Sequence, residues 1–389
     1  MNGLIYLDNQ ATTPCDPRVL DAMLPWFTEK PGNSHSIEHA AGRAAEAAVD
    51  DARAEIAALI GADAREIVLT SGATEANNLA IKGAARFAAT QNSARRRVVT
   101  VVTEHKCVVE SALELRHESF EPVVLPVGPD GMLDLDRLTE ALRTPTLLVS
   151  VMAAHNEIGV LQDIAAIARI AHAAGALVHT DAAQAAGKIA IDVGAWDVDL
   201  LSISAHKFYG PKGVGALYVR RRPRARILPL FSGGAQERGM RSGTLPTPLL
   251  VGFGTAAALA AAGMAAEAPH IAQLRERFWV GLHALVPGLV LNGHATRRLP
   301  GNLNITFPNS TAAELMARTP ELCLSTGSAC SSASIEPSYV LTALGIDPAR
   351  AARTLRIGIG RFTSAAEIDH AVAALAAASF HHSDINAHG

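Results

Sequence analysis

The stretch DLLSISAHKFYGPKGVGALYV, residues 199–219, contains two apolar runs of strand length, LLSIS (200–204) and GALYV (215–219), joined by a Gly- and Pro-bearing turn. Runs of this kind bounded by turn residues read as strands of a buried sheet. Ser204, His206 and Lys207 stand at the carboxyl end of the first run. An ammonium beside a buried strand end loses hydration, which weakens its hold on the proton. Two readings fit such a lysine. It snorkels to water along its alkyl stem, or its amine acts as a nucleophile that holds an aldehyde as an imine.

Outward from this stretch the same rhythm repeats. EIVLT, RRVVTVVT, PVVLPV, TLLVSVM and ALVHT alternate with Ala-rich helical segments such as EANNLAIKGAARFAA and DIAAIARIAHAAG. Strands alternating with helices predict an α/β fold with a mainly parallel seven-stranded sheet covered by helices. In open sheets of this kind, ligands sit beyond the carboxyl ends of the strands. SGATEANN follows EIVLT, His105 follows RRVVTVVTE, Asn156 follows TLLVSVMAA, Asp181 follows ALVHT, and His206 and Lys207 follow LLSIS. All fall on one predicted edge, which points to a single pocket. After about residue 260 the pattern changes to a helix, GNLNITF, a Ser/Gly-rich loop, TLRIGIGRFTS and a last Ala-rich helix. The expected division is a large domain over residues 15–258 and a smaller α+β domain from residues 1–14 and 259–389.

Composition narrows the function class. The formal net charge is −3 with acids and bases interspersed, which gives no footprint for nucleic acid. The basic run Arg220 to Arg226 reads as a solvated loop after a strand. Cys15, Cys107, Cys323 and Cys330 show neither zinc spacing nor a disulfide framework. Free thiols and the absence of a signal-peptide pattern predict a cytoplasmic protein. VGFGTAAALAAAGMAAEA is apolar but mostly Ala and Gly, and reads as a packed helix, with no membrane partner expected.

The polar groups on that edge suggest chemistry. Asp181, beside a pyridoxal phosphate ring nitrogen, would keep it protonated and make the ring an electron sink. SGATEANN places a small-residue turn and Thr74 before a helix, where free N–H groups suit a phosphate, although an ordinary helix cap has the same look. Ser204 and His206 would complete that cradle. His105 is either a ring-stacking proton carrier or a structural strand-end histidine. Gln184, three residues beyond Asp181, is either a partner for a ring oxygen or a surface amide. Cys330 lies in STGSACSSASIEPSYVL, among residues too small and polar to pack tightly, as a nucleophile would, or is incidental there. Arg356, in TLRIGIGRF, is a planar fork suited to a carboxylate, or one half of an interdomain ion pair. Cys15, Cys107 and Cys323 read as packing residues. No metal site is expected.

Taken together, YLDNQATTP, GNSHSIEHAAGRAAEAAVDDAR, TSGATEANNLAIKG, TEHKC, NEIGVLQDI, HTDAAQAAGK, SAHKFYGPKGVGALYVRR, GGAQERGMRSGTLPTP and STGSACSSASIEPSYVL resemble the NifS/IscS-like cysteine desulfurases, group I, of the class V aminotransferase family, from residue 5 to about 370. The resemblance implies a fold type I pyridoxal-phosphate enzyme that acts as a homodimer. Lys207 would be the Schiff-base lysine, Asp181 the partner of the ring nitrogen, Gln184 that of the ring hydroxyl, and His105 the residue stacked on the ring. Thr74, Ser204 and His206 would hold the phosphate, with Thr244 reaching the phosphate of the partner subunit's site. Asn156 and Arg356 would hold the carboxylate of L-cysteine. Cys330 would take its sulfur as a persulfide, for transfer to an acceptor such as an iron-sulfur scaffold.

The sequence departs from the family pattern at Ser34, where Pro is usual, at Ala205, where Gly is common, and at His155, where Asn is usual. It also ends at SFHHSDINAHG, where many relatives carry a longer scaffold-binding tail. The nearest rivals are a selenocysteine lyase and a class V aminotransferase, the latter with no need of Cys330. A non-catalytic platform for partner binding is a further alternative, against which the joint presence of Lys207, Asp181 and Cys330 argues.

Overall fold

The computed structural model describes residues 3–326 and 338–380; Cys330 lies outside the described residues. In chain order the strands are β1 (Ile5–Tyr6), β2 (Ile67–Thr70), β3 (Arg97–Val101), β4 (Glu121–Leu125), β5 (Thr146–Ser150), β6 (Leu177–Asp181), β7 (Leu200–Ser204), β8 (Gly215–Val219), β9 (Val290–Leu291), β10 (Asn302–Thr306), β11 (Leu322–Cys323) and β12 (Thr354–Gly358). A seven-stranded sheet in the order β2-β8-β7-β6-β5-β3-β4 forms the centre. Its strands are parallel except β8, which runs antiparallel to both β2 and β7.

The apolar runs in the sequence follow from burial on both sheet faces. Successive residues of a strand alternate between two clusters. Val68, Val98, Leu148, Leu200 and Leu217 pack with the helices Ala73–Thr90 and Lys106–Glu114. Ile67, Leu69, Val99, Val149 and Leu201 pack on the other side with Ile167, Leu250 and Phe253. Slipping one strand by a residue would exchange these faces, so the pattern also fixes the register.

The helix Thr247–Leu285 is long and apolar enough to cross a membrane by length and composition. Here Phe253, Ala256, Ala257 and Ala260 join the main core, and the helix lies close against Ala40–Leu59. A Cβ added at Gly254 would meet Ala52 Cα at 2.5 Å, so only glycine permits this approach. The domain boundary expected at 258/259 falls inside this one helix. Its residues up to Ala260 belong to the main core, while Leu274, Phe278 and Leu282 belong to a second cluster with Leu7, Leu303, Ile305, Leu355 and Ile357. That second core surrounds the antiparallel sheet β12-β10-β9, beside the parallel pair β1-β11.

Candidate active site

The polar residues expected on one sheet edge do converge. A cleft of about 510 Å³ beyond the carboxyl ends of β2, β3, β5, β6 and β7 is lined by Thr74, His105, Asn156, Asp181, Gln184, Ser204, His206, Lys207 and Arg356, among others. Lys207 follows β7 in a single helical turn, Ala205–Lys207. Its Nζ donates to Gln10 O and Ala11 O, both at 2.8 Å. The amine is therefore held by backbone carbonyls of the amino-terminal segment, and does not snorkel away from the fold.

Asp181 ends β6 and is 6 % exposed. Its Oδ1 accepts from Ala183 N at 2.9 Å and its Oδ2 from Asn77 Nδ2 at 2.7 Å. Asn77 lies one turn inside the helix Ala73–Thr90, whose amino terminus faces the same cleft. That helix has no side-chain cap. Gly72, with φ 152°, leads into it and packs so closely on Gly215 that a Cβ on the latter would sit 2.7 Å from Gly72 Cα. The first N–H groups of the helix are thus left for a ligand, and such an end attracts an anion. Ser204 and His206 line the cleft near it. His206 Nδ1 lies 3.0 Å from Thr12 Oγ1. Burial first, then the charges of Lys207, Lys212 and Lys188, push its pKa down to about 4, so it is neutral at pH 7.

His105 is the amino-terminal cap of the helix Lys106–Glu114, and its Nδ1 accepts from Cys107 N at 3.3 Å. In the neutral ring the proton therefore sits on Nε2. Cys107 packs against the core, as expected, and also faces the cleft. Its Sγ lies 3.0 Å from His105 Nδ1, accepts from Asn77 Nδ2 at 3.2 Å, and lines the cleft. Cys15 is exposed, contrary to a packing role. Arg220, read as part of a solvated run, is 7 % exposed and pairs with Asp197 at 2.6 Å.

Arg356, on β12, is 2 % exposed. Its Nη2 donates to Asp8 Oδ1 at 2.8 Å and its Nη1 to Asn156 O at 3.2 Å, while Nε has no hydrogen-bond partner. Arg356 thus forms an ion pair, though with Asp8 of the same expected small domain rather than across domains, and it lines the cleft. His155, which departs from the family pattern, does the work of an amide. Its Nε2 donates to Thr103 O at 2.7 Å and its Nδ1 accepts from Glu157 N at 2.9 Å, while burial lowers its pKa to about 4. Thr244 is exposed and does not line this chain's own cleft.

Besides Cys107 and the carbonyl of Ala11, sequence reasoning missed three members of this neighbourhood. Asn77 lies three residues after Thr74, a helical spacing that could have revealed it. Glu104, next to His105, is fully buried; burial and the charge of Asp181 raise its pKa well above the usual carboxyl range, and its Oε1 accepts from Met152 N at 2.5 Å. The third is Gln10, whose contribution is a main-chain carbonyl and has no side-chain signature. Among the described residues no cluster of His, Cys, Asp or Glu could hold a metal ion.

Residues 5–371 match the model of the family described as Aminotransferase class-V. The chain is 51 % identical over 368 residues to the cysteine desulfurase IscS of Rickettsia rickettsii (strain Iowa), covering 95 % of this chain and 89 % of that protein. This chain belongs to the class-V aminotransferase family, among its IscS/NifS-like cysteine desulfurases. A solved NifS-like protein superimposes with a TM-score of 0.88 at 34 % identity, over 96 % of this chain and 98 % of that one. A structure described as SspA in complex with cysteine aligns with a TM-score of 0.80 at 36 % identity, over 92 % of this chain and all of that one (100 %). The class-V family member described above therefore has the fold type I architecture expected from its sequence.

Proposed function

We propose that this protein is a pyridoxal-phosphate-dependent cysteine desulfurase that converts L-cysteine to L-alanine and carries the sulfur as a persulfide on Cys330. The observation that carries this reading is the cleft itself: an amine, a buried carboxylate and an uncapped helix amino terminus meet there with an arginine that keeps a donor unpartnered. The donor set fits a phosphorylated aldehyde. Lys207 would hold the aldehyde carbon, Asp181 the ring nitrogen, and Gln184 the ring oxygen, with His105 against the ring. Ala73 and Thr74 N–H groups, Ser204 and His206 would hold the phosphate. When bound, pyridoxal phosphate supplies a carbonyl that joins amines and a ring that accepts electrons.

The residues divide the remaining work. Arg356 and Asn156 receive the substrate carboxylate, and so fix which substrate bonds face the ring. Lys207, once released from the carbonyls of Gln10 and Ala11 that now hold it, would serve as the base for the substrate Cα proton. His105, as its Nε2–H tautomer, presents a donor. The Cys330 thiolate attacks the substrate Sγ; the carbon–sulfur electron pair returns to carbon, which takes up a proton. The sum is L-cysteine plus a protein thiol giving L-alanine plus a protein persulfide, with no external oxidant. The persulfide is then passed to a thiol of an acceptor protein, such as an iron-sulfur scaffold.

The exposure of Thr244, away from this chain's cleft, supports a homodimer in which it serves the partner's phosphate. The described cysteines are free thiols, which supports a reducing, cytoplasmic setting. Intact mass spectrometry after brief exposure to L-cysteine tests the reaction. The expected result is a gain of one sulfur mapped to Cys330 with alanine released, and no such gain in Cys330→Ala. Alanine formation that needs a keto acid and survives Cys330→Ala would make the protein a transaminase instead.

A further inference from the structure

A second lysine stands behind the cofactor-facing residues. Lys188 lies four residues after Gln184 in HTDAAQAAGK, and its Nζ donates to Gln184 Oε1 at 2.8 Å. Gln184 is 4 % exposed, and its Nε2 donates to Gln10 O at 2.8 Å. That same carbonyl accepts from Lys207 Nζ. The amide NH₂ of Gln184 and the reactive amine are therefore neighbours on one acceptor, so a ring oxygen ortho to an imine carbon formed at Lys207 would come within reach of that amide.

A side-chain amide can turn over and exchange its acceptor for its donors. Here both halves are specified. The Gln10 carbonyl accepts only and so selects the NH₂ group; the Lys188 amine supplies a donor to the oxygen. Without Lys188, Gln184 Oε1 would be buried with no protein donor, and the turned-over amide would lose less by comparison. We propose that Lys188 is a positioning residue for the cofactor, holding Gln184 as a hydrogen-bond donor to the ring oxygen. This rests on the pyridoxal phosphate reading above.

The surroundings of Lys188 suit that role. The charges it faces are Lys207 and Arg356; with burial as the larger cause, they push its pKa down to about 7. Glu267, across a small cavity from it, is engaged by Arg361 at 2.9 Å. Lys188 thus has no carboxylate competing for its donors among these neighbours. It keeps N–H donors whether or not it carries the proton.

The test is a pH titration of visible absorbance on purified holoenzyme: wild type, Lys188→Met, Gln184→Ala and the double variant. Loss of a donor to the ring oxygen makes that oxygen a stronger partner for the neighbouring proton. The midpoint is expected to move upward by about half a pH unit in Lys188→Met, a roughly threefold change in the proton-binding constant. The double variant is expected to match Gln184→Ala alone, because Lys188 acts through the amide. Gln184→Glu keeps Lys188 but replaces the donor by an acceptor, and is expected to move the midpoint further up. An unchanged midpoint in Lys188→Met or Gln184→Glu, or shifts that add in full, would overturn the proposal. A colourless wild type that takes up no pyridoxal phosphate would refute the cofactor reading itself, and this one with it.

Discussion

Replacing Arg356 by Lys keeps the charge and removes the fork. In the structure two guanidinium nitrogens are engaged, Nη2 with Asp8 Oδ1 at 2.8 Å and Nη1 with Asn156 O at 3.2 Å, and Nε is buried without a partner. An ammonium at the end of a flexible stem cannot satisfy Asp8 and Asn156 and also meet both oxygens of a substrate carboxylate. A hydrogen bond to a charged group contributes about 1.5–3 kcal/mol, so losing one such bond to substrate should raise KM for L-cysteine about 10- to 150-fold. Because that contact exists before and during the reaction alike, kcat should change little. The assay is alanine release against L-cysteine concentration, with thermal unfolding as a check that Asp8 remains adequately paired. Unchanged KM in a folded, cofactor-loaded Arg356→Lys protein would refute the carboxylate role and leave Arg356 as the ion pair alone.

Glu157 provides a pH prediction. It is 3 % exposed, Ser338 Oγ donates to its Oε1 at 2.5 Å, and burial raises its pKa to about 7. The folded state therefore binds a proton that the unfolded chain has already released, so the stabilisation is complete below the unfolded pKa near 4.5 and is lost as pH rises through about 7. Glu157→Gln should remove about 3 kcal/mol of this pH dependence, read as the difference between urea-unfolding curves of variant and wild type from pH 4.5 to 8; parallel curves would show that Glu157 does not titrate there. Glu237→Ala should cost about 3–5 kcal/mol in the same unfolding assay, because it strands the buried Arg53 guanidinium, now held at 2.7 and 2.8 Å. The same variant removes the acceptor of Leu69 N and frees a segment in which Ala235, Glu237 and Arg238 sit at φ 50–57°, so cofactor retention should fall if Thr244 serves a neighbouring site; a loss below about 1 kcal/mol would mean that water replaces the carboxylate.

The site was legible where chemistry resides in side chains placed at strand ends. Lys207, Asp181, His105 and Asn156 each follow a continuous apolar run, and doubly buried strands write that run plainly into the sequence. The direction of β8 was legible in principle as well. Only residues 205–214 separate it from β7, too few for the crossover that a parallel neighbour requires. What could not be read is what depends on long-range backbone contact. Gln10 O and Ala11 O meet Lys207 from nearly two hundred residues away, and a carbonyl has no residue identity. Cys107 packs against the core as read, but its place at the cleft was hidden because the contact that ties it there comes from Asn77 on another helix. Arg220 looked solvated inside an arginine-rich run because its partners, Asp197 and Asp199, lie in the turn before β7.

The amino-terminal segment joins the Lys207 amine and Arg356, the proposed substrate clamp, in one device. Asp8 holds Arg356, Asn9 Nδ2 donates to Gly358 O at 2.8 Å, Gln10 and Ala11 hold Lys207, and Thr13 N donates to His206 O at 2.9 Å. Consecutive residues thus tie β12 of the smaller sheet to the turn after β7 of the larger one. A shift of the smaller sheet that moved Arg356 would also draw on the carbonyls that station the amine. The coupling needs no hinge residue of its own. It follows from a short turn whose backbone is committed at both ends, and it ties the proposed substrate capture by Arg356 and the release of Lys207 to the same few hydrogen bonds.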